Sequence, residues 1–475
     1  MTERVSTGVR DLDPLISGGF YPGSLILVAG NPGTGKTIFS AQFLYRGIVE
    51  CGESGIYVSF AEGRDAFYEN MRGYGFNFED LEREGKFKFL DMTTVRAEGV
   101  SPTLNLIIDE VHRMGARRLV IDSFSAMTHA LKEVIETRII THLILSKIVK
   151  RLKCTTILIA EIPIGREVIG MGVEEFISDG IIRLKAGELD GRLLRDLEII
   201  KMRGTEIQER KLIFTLKGEF KVFPPFKIKP IEKPRMFQPI EDSLGCFSTG
   251  SKDLDEMLGG GFPKGASVLL EIDRHISTLQ YHIIVNPIGW NFLVKGRPVM
   301  VIPSPGVDYE IVRRRASESG LGEADLRRLL RVCIPSMWEA VKDPCVVPLE
   351  CEDVDEDYRR YLDLEEELMK GTGQHVLRIT GVGTLRSIYG DEATINILNL
   401  DATRLRERGN LGILILKPDS KHLVKAIGAI ADMHFKMTRE HGALLFYGIK
   451  PRTCIYAVEA DTSKGYLLPK LTPIK

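Results

Sequence analysis

The sequence predicts an α/β fold in two tandem domains, each a mostly parallel central sheet flanked by helices. Three observations carry that expectation: a segment that occurs twice, an alternation of strand-like and helix-like runs, and a glycine-rich octapeptide present in the first copy only. Residues 6–23, STGVRDLDPLISGGFYPG, align without gaps on residues 248–265, STGSKDLDEMLGGGFPKG, with ten identities in eighteen positions. A repeat of this quality assigns the same opening to both halves. Each copy leads into a short apolar run, Leu25-Ile26-Leu27-Val28 or Val268-Leu269-Leu270, of the kind a buried parallel strand requires.

Within the first copy, strand-like runs at Gly55–Phe60, Leu119–Ile121 and Thr155–Ala160 alternate with amphipathic segments at Ile38–Val49 and Ile139–Leu152. That alternation is the mark of a helix-covered parallel sheet. Later pieces around Gly180–Leu184, Leu197–Met202 and Lys211–Leu216 read as antiparallel strands closing one edge. Residues 221–243 hold five prolines, which remove backbone donors and favour extended chain. The expected organisation is a first domain over 1–223, a linker over 224–243 and a second domain over 244–475. In the second, residues 350–367 hold ten carboxylates against two arginines, read as a solvated face in preference to a docking site for a basic partner.

A chain of 475 residues exceeds one ordinary hydrophobic core, and 44% hydrophobic with 27% charged residues is globular composition. The start, Met1-Thr2-Glu3-Arg4-Val5, does not read as a secretory signal and no apolar run reaches membrane-spanning length, so a cytoplasmic protein is expected. Seven cysteines, scattered and without a C-x-x-C pair, are expected to be reduced. A net charge of −1 gives no global footprint of nucleic-acid binding. Five glutamines beside abundant charged residues is a balance seen in proteins from hot environments.

The octapeptide Gly30 to Thr37 reads G-N-P-G-T-G-K-T. Glycines 30, 33 and 35 let the backbone curl so that its N–H groups face phosphate oxygens, and the following helix adds its positive end. Gly30, Asn31, Pro32, Gly33, Thr34, Gly35, Lys36, Thr37 and Ile38 are the expected nucleotide-binding segment, taking ATP with Mg2+. Lys36 would reach the β- and γ-phosphates and the Thr37 hydroxyl would ligate magnesium. Asp122, ending the run Leu119-Val120-Ile121, is the candidate second metal ligand. Glu62, following the strand Ile56-Tyr57-Val58-Ser59-Phe60, is placed where a carboxylate could orient or deprotonate water.

These pieces, in order and spacing, resemble the KaiC-like ATPases of the RecA superfamily, common in archaea. The resemblance rests on the leader, the P-loop, Phe60-Ala61-Glu62, Asp122-Ser123, the block GVEEFISDGIIRL at 172–184 and Lys201-Met202-Arg203-Gly204-Thr205. It implies two RecA-like domains, with Glu62 as general base. Ala61 stands where the family often has another glutamate, which implies slow turnover or reliance on Glu62 alone. It also implies a homo-oligomeric ring, commonly a hexamer, in which Lys201 and Arg203 reach the neighbour's γ-phosphate.

Carrying the repeat's offset forward puts Ile272, Ser277, Thr278 and Leu279 opposite Gly30, Gly35, Lys36 and Thr37. Pairing Tyr57–Gly63 with Met300–Gly306 puts Pro305 where Glu62 stands, and pairing Leu119–Met127 with Leu377–Leu385 puts Thr380 where Asp122 stands, so the second half reads as a pseudoenzyme domain for assembly, regulation or binding an unknown protein partner. Lys450 and Arg452 echo Lys201 and Arg203, as a relic or a ligand contact. An inactive second half also leaves no place for autophosphorylation. Two other functions stay open: an ATP-binding switch that hardly hydrolyses, and a recombinase-like DNA-binding ATPase using Phe124–Arg138 and Ile162–Gly172. Those loops lack the basic density and stacking aromatics that single-strand binding uses, so nucleic acid is possible but not favoured.

Overall fold

The computed structural model describes residues 4–94, 100–124, 144–163, 165, 178–228, 230–336 and 343–475. The chain divides into two compact units, Met1–Pro225 with Pro473–Lys475, and Phe226–Thr472.

In the first unit, β1 (Leu25–Gly30) is buried along its whole length. The sheet runs β3 (Phe87–Asp91), β2 (Gly55–Ser59), β4 (Arg118–Asp122), β5 (Thr155–Glu161), β1, β6 (Gly180–Leu189), β7 (Arg192–Met202), β8 (Lys211–Thr215), β9 (Lys221–Phe223). From β3 to β6 every pairing is parallel, and from β6 onward every pairing is antiparallel. The sequence suggested an antiparallel strand over 180–184. Instead β6 adds to β1 in parallel, because both its faces are buried as a central strand requires, and the antiparallel edge starts only at β7.

Alternate residues of β1 serve two cores, as a two-residue side-chain period dictates. Ile26 and Val28 face an aromatic core with Phe39, Phe43, Phe67 and Phe89, whereas Leu25 and Leu27 face an aliphatic one with Ile107 and Val111. The first core is covered by α1 (Lys36–Cys51), α2 (Arg64–Arg72) and α3 (Phe78–Arg83), the second by α4 (Val100–Met114).

One charged side chain lies deep in this packing. Arg118, fully buried, pairs through Nε with Glu53, and its Nη1 donates to the carbonyls of Ser6 and Phe43, both at 2.8 Å. Gly47 makes the room: a Cβ there would stand 2.0 Å from Arg118 Nε. The repeated leader, α1 and β4 are thereby pinned together.

The second unit opens with β10 (Cys246–Phe247), α5 (Lys252–Leu258) and β11 (Phe262–Pro263). It continues through β12 (Ser267–Ile272), α6 (Thr278–Val294), β13 (Val299–Ile302), α7 (Tyr309–Ser317), α8 (Glu323–Leu329), β14 (Leu330–Pro335) and β15 (Val346–Leu349). Then follow α9 (Val354–Thr372), β16 (Leu377–Gly381), α10 (Val382–Arg408), β17 (Leu411–Leu416), α11 (Val424–Ile430), β18 (Met433–Glu440), β19 (Ala443–Lys450), β20 (Tyr456–Asp461) and β21 (Leu468–Pro473). Its sheet order, β15-β14-β13-β16-β17-β12-β18-β19-β20-β21, repeats that of the first unit with an added strand at the β15 edge.

The segment expected as linker packs on the second unit from Phe226 onward. Phe226 N donates to Gly442 O at 3.0 Å, and the Phe237 ring is buried against Trp290 and Tyr466. Its apolar side chains find partners, so the prolines extend the chain without freeing it. The acidic stretch forms most of α9, and two of its carboxylates turn inward. Asp357 accepts from Cys351 N at 2.8 Å and Tyr389 Oη at 2.7 Å, and Glu365 accepts from Asn410 Nδ2 at 2.8 Å and pairs with Arg378. All seven cysteines are free, and no helix among the described residues is long and apolar enough to cross a membrane.

Replacing Arg118 with Ala strands the Ser6 and Phe43 carbonyls and the Glu53 carboxylate. Breaking a buried pair this way costs about 3 kcal/mol or more, about a hundredfold in opening equilibrium. Amide exchange in β1 and β4 of the full chain is expected to accelerate by that factor.

Candidate functional site

The glycine-rich loop Asn31–Gly35 joins the end of β1 to the start of α1 at the carboxyl edge of the parallel strands, where ligands of such sheets bind. Two glycines are required by geometry. A Cβ on Gly30 would stand 2.5 Å from Leu184 O, and Gly35 has φ 97° in the left-handed region. Gly35 caps α1 without any side-chain acceptor, so the first-turn N–H groups are offered to an anion. The loop is braced by Asn31 Nδ2, which donates to Ile162 O at 2.8 Å, and by Thr34 Oγ1, which donates to Asn31 O at 2.8 Å. Pro32 and Gly33 are exposed, and Ile38 packs on the aromatic core.

Lys36 lies along this loop, 8% exposed, with Nζ donating to Gly30 O at 3.0 Å and Asn31 O at 2.9 Å. Burial pulls its pKa below the usual lysine value, against the opposing charges of Glu161 and Asp122. Next to it, Thr37 Oγ1 donates to Asp122 Oδ2 at 2.9 Å, and Tyr57 Oη donates to the same oxygen at 2.5 Å. Asp122 is 6% exposed, and burial raises its pKa while the two hydroxyls oppose that shift. Its peptide bond to Ser123 is cis. A buried carboxylate touching the Thr37 hydroxyl is the donor set that magnesium takes from protein, one carboxylate and one hydroxyl, with phosphates and water completing the shell. Among the described residues no cluster of three or more His, Cys, Asp or Glu forms a metal cage.

Glu62 follows β2, whose neighbour is β4, with Ser59 opposite Asp122. The turn that carries it is locked by Ser59: Oγ donates to Glu62 O at 2.6 Å and accepts from Glu62 N at 3.0 Å. Asn70 Nδ2 donates to Glu62 Oε2 at 3.3 Å. Burial, then the charge of Asp122, lifts the Glu62 carboxyl above the usual range. Sequence reasoning missed Tyr57, Ser59 and Glu161, within or beside recognised strands, and Asn70 on α2. It also missed Arg195 on β7, whose Nη1 donates to Gly33 O at 3.1 Å and whose Nε donates to Lys475 O at 2.8 Å. Strand-end position was a usable signal for Glu161; nothing local marks Arg195.

Lys201 and Arg203 are not brought to this P-loop. Strand register puts Met202 opposite Gly180, and Gly180 opposite Ile26, at the amino end of β1. Four residues of strand, about 13 Å, separate that end from Gly30. There Arg203 pairs with Asp179 at 3.5 Å, and Asp179 Oδ2 accepts from Leu25 N at 3.0 Å. Of the suggested DNA-contact loops, residues 125–138, 164 and 166–172 lie outside the described residues apart from Gly165, as does 172–177 of the family block.

Comparison with known proteins finds relatives of this chain. A family model described as "ATPase: KaiC" matches residues 5–224. A UPF0273 protein of Methanocaldococcus jannaschii is 34% identical over 48% of this chain and 98% of its own length. The chain belongs to the KaiC-like ATPases of the RecA superfamily. A UPF0273 protein of Thermotoga maritima is 35% identical over 46% of this chain and 93% of its own. The circadian clock protein KaiC3 of Synechocystis is 32% identical, over 56% of this chain and 53% of its own. A solved KaiC-like protein of Pyrococcus horikoshii is 36% identical, covering 47% of this chain and all of its own, with TM-score 0.43.

Both halves of this KaiC-like chain are RecA-like α/β domains, but the second has rebuilt its loop. β12 ends at Ile272 and α6 starts at Thr278, at the offset that relates Gly30 and Lys36 to them. Between them, Asp273-Arg274-His275-Ile276-Ser277 contains no glycine. Ser277 has φ −76° where Gly35 has 97°. Its hydroxyl accepts from Gln280 N and its own N–H donates to Gln280 Oε1, a capping box that occupies a first-turn amide. The register corrects the sequence pairing of Thr380 with Asp122: Thr380 pairs with Leu414 as Ile121 pairs with Leu158, so Gly381 stands at the acidic position, one residue further along the strand than apolar-run matching placed it.

Because the folded state raises the pKa of Asp122, its protonated form favours folding, and that stability is lost as pH rises through the folded pKa. Asp122→Asn is therefore expected to raise the thermal midpoint at pH 8, with the gain vanishing as pH falls into the ordinary carboxylate range. Differential scanning calorimetry across pH 4–8 checks the sign.

Proposed function

We propose that the first unit binds ATP with magnesium and hydrolyses it, slowly, at the interfaces of a homo-oligomeric ring, most simply a hexamer. The observation that carries this reading is the meeting of Thr37 and Asp122 at 2.9 Å, with Lys36 and Glu62 in the same field of charge. First-turn amides of α1 and the Lys36 ammonium take up the phosphates. Thr37 and Asp122 would hold magnesium, which would supply positive charge against the charge developing on the phosphates. Glu62 orients the attacking water and accepts its proton as the bond from γ-phosphorus to the ADP oxygen breaks and that to the water oxygen forms. Its raised pKa makes it a stronger base than an exposed glutamate.

Lys201 and Arg203, at the far end of the sheet from their own P-loop, are assigned to the γ-phosphate of a neighbouring copy. Cations supplied in this way stabilise charge on the transferred group. The second unit, without glycine curl, lysine or acid at the matching positions, serves assembly or partner binding and turns over no nucleotide.

Magnesium-dependent phosphate release is expected to fall about a hundredfold or more in Glu62→Gln with ATP binding kept, as loss of a general base implies. Lys36→Ala is expected to lose both. Release unchanged by the two substitutions contradicts the proposal, and tight ATP binding with no turnover in the native chain replaces it with a nucleotide-binding switch.

A further inference from the structure

The two units differ at one further equivalent place. Gly289 stands on α6 where Gly47 stands on α1, at the repeat's offset. Beside Gly47 the space is filled by the Arg118 guanidinium, whereas a Cβ on Gly289 would meet nothing within 4 Å. Arg118 pairs with Thr155 as Leu377 pairs with Leu411, and β5 and β17 hold the same register against β1 and β12, which puts Leu377 at the position of Arg118. The large side chain is gone, and a cavity of about 70 Å³ lies there, lined by α6, α7 and strand residues of β13, β16 and β17. A single water needs roughly 10–15 Å³ on this scale, so the space takes several waters or one ring-sized molecule.

Its walls are apolar, with Val285, Trp290 and Leu293 from α6 and Val301, Ile379 and Ile415 from the strands. Its polar lining includes His282 and Arg315. His282 is 7% exposed and its Nδ1 has no hydrogen-bond partner. Arg315 pairs through Nη1 with Glu318 at 2.7 Å, while its buried Nε has no partner. Burial, then the cations Arg315 and Lys417, pushes the His282 pKa down to about 3, so the imidazole is neutral in a positively charged corner. Unpartnered buried polar groups are costly, and these two would be satisfied together by one acceptor bearing negative charge.

We propose that this cavity is a binding site for a small monocarboxylate with a body of about one ring, its carboxylate accepting from Arg315 Nε and His282 Nδ1. An uncharged apolar guest would leave both nitrogens unpartnered. A phosphate would lack donors for most of its oxygens and would face the aliphatic walls. The site is independent of the nucleotide reading and gives the second unit a ligand of its own.

Benzoate, toluene and acetate titrated separately into the full chain, followed by Trp290 fluorescence and calorimetry, separate the contributions of body and charge. Saturable benzoate binding at one site per chain is expected, with toluene and acetate at least tenfold weaker. Gly289→Leu fills the space and is expected to abolish benzoate binding without lowering the thermal midpoint, since leucine is the better helix former. Arg315→Met, a second variant, is expected to weaken benzoate at least tenfold and leave toluene unchanged. Absence of saturable benzoate binding, toluene binding as tight as benzoate, or benzoate affinity that survives both substitutions in folded protein overturns the proposal.

Discussion

The hydrogen bonds to the Asp122 carboxylate tie the first unit's chemistry to its fold. One buried oxygen accepts from Thr37 on α1 and from Tyr57 on β2, while the residue itself ends β4. Three elements thereby meet at the carboxyl edge of the sheet, and the loop between β1 and α1 is held against them. The arrangement keeps a carboxylate where burial works against its charge. A cation beside such a group would stabilise its charged form.

The second unit shows what remains when that demand is lifted. Strand order and the β12-to-α6 spacing are kept, yet Ser277 and Gln280 now close the helix end that Gly35 leaves open. Gly381 in place of an acid removes the charge that needed a partner. The packing has also loosened at Gly289, where no arginine replaces Arg118. A duplicated scaffold has thus kept its backbone while its cavities and caps diverged.

Much of this was legible in the sequence. The repeat gave the duplicated unit, and β1, β2, β4 and β5 fall on the apolar runs that marked them, because strands buried on both faces must be nearly continuous in apolar residues. Lys36 and Thr37 open α1 beyond the loop after β1, Asp122 ends β4 and Glu62 follows β2, so all four come to one edge of the sheet, a relation spacing alone expresses. Direction was harder for β6: periodicity reports burial, and only the pairing with β1 shows that the chain runs parallel there. Tyr57 was hidden inside an ordinary strand, and Arg195 reaches Gly33 from a strand far along the chain. The inward turn of Asp357 and Glu365 was equally out of reach, since charge runs reveal composition and not which side chain finds Arg378.

The central claim is one nucleotide site per chain, built by the first unit and erased in the second. Equilibrium binding of a slowly hydrolysed ATP analogue with magnesium, counted against chain concentration, tests it most directly. One analogue per chain, lost entirely in Lys36→Ala, is the predicted result. Two per chain, or one that persists in Lys36→Ala, would contradict it.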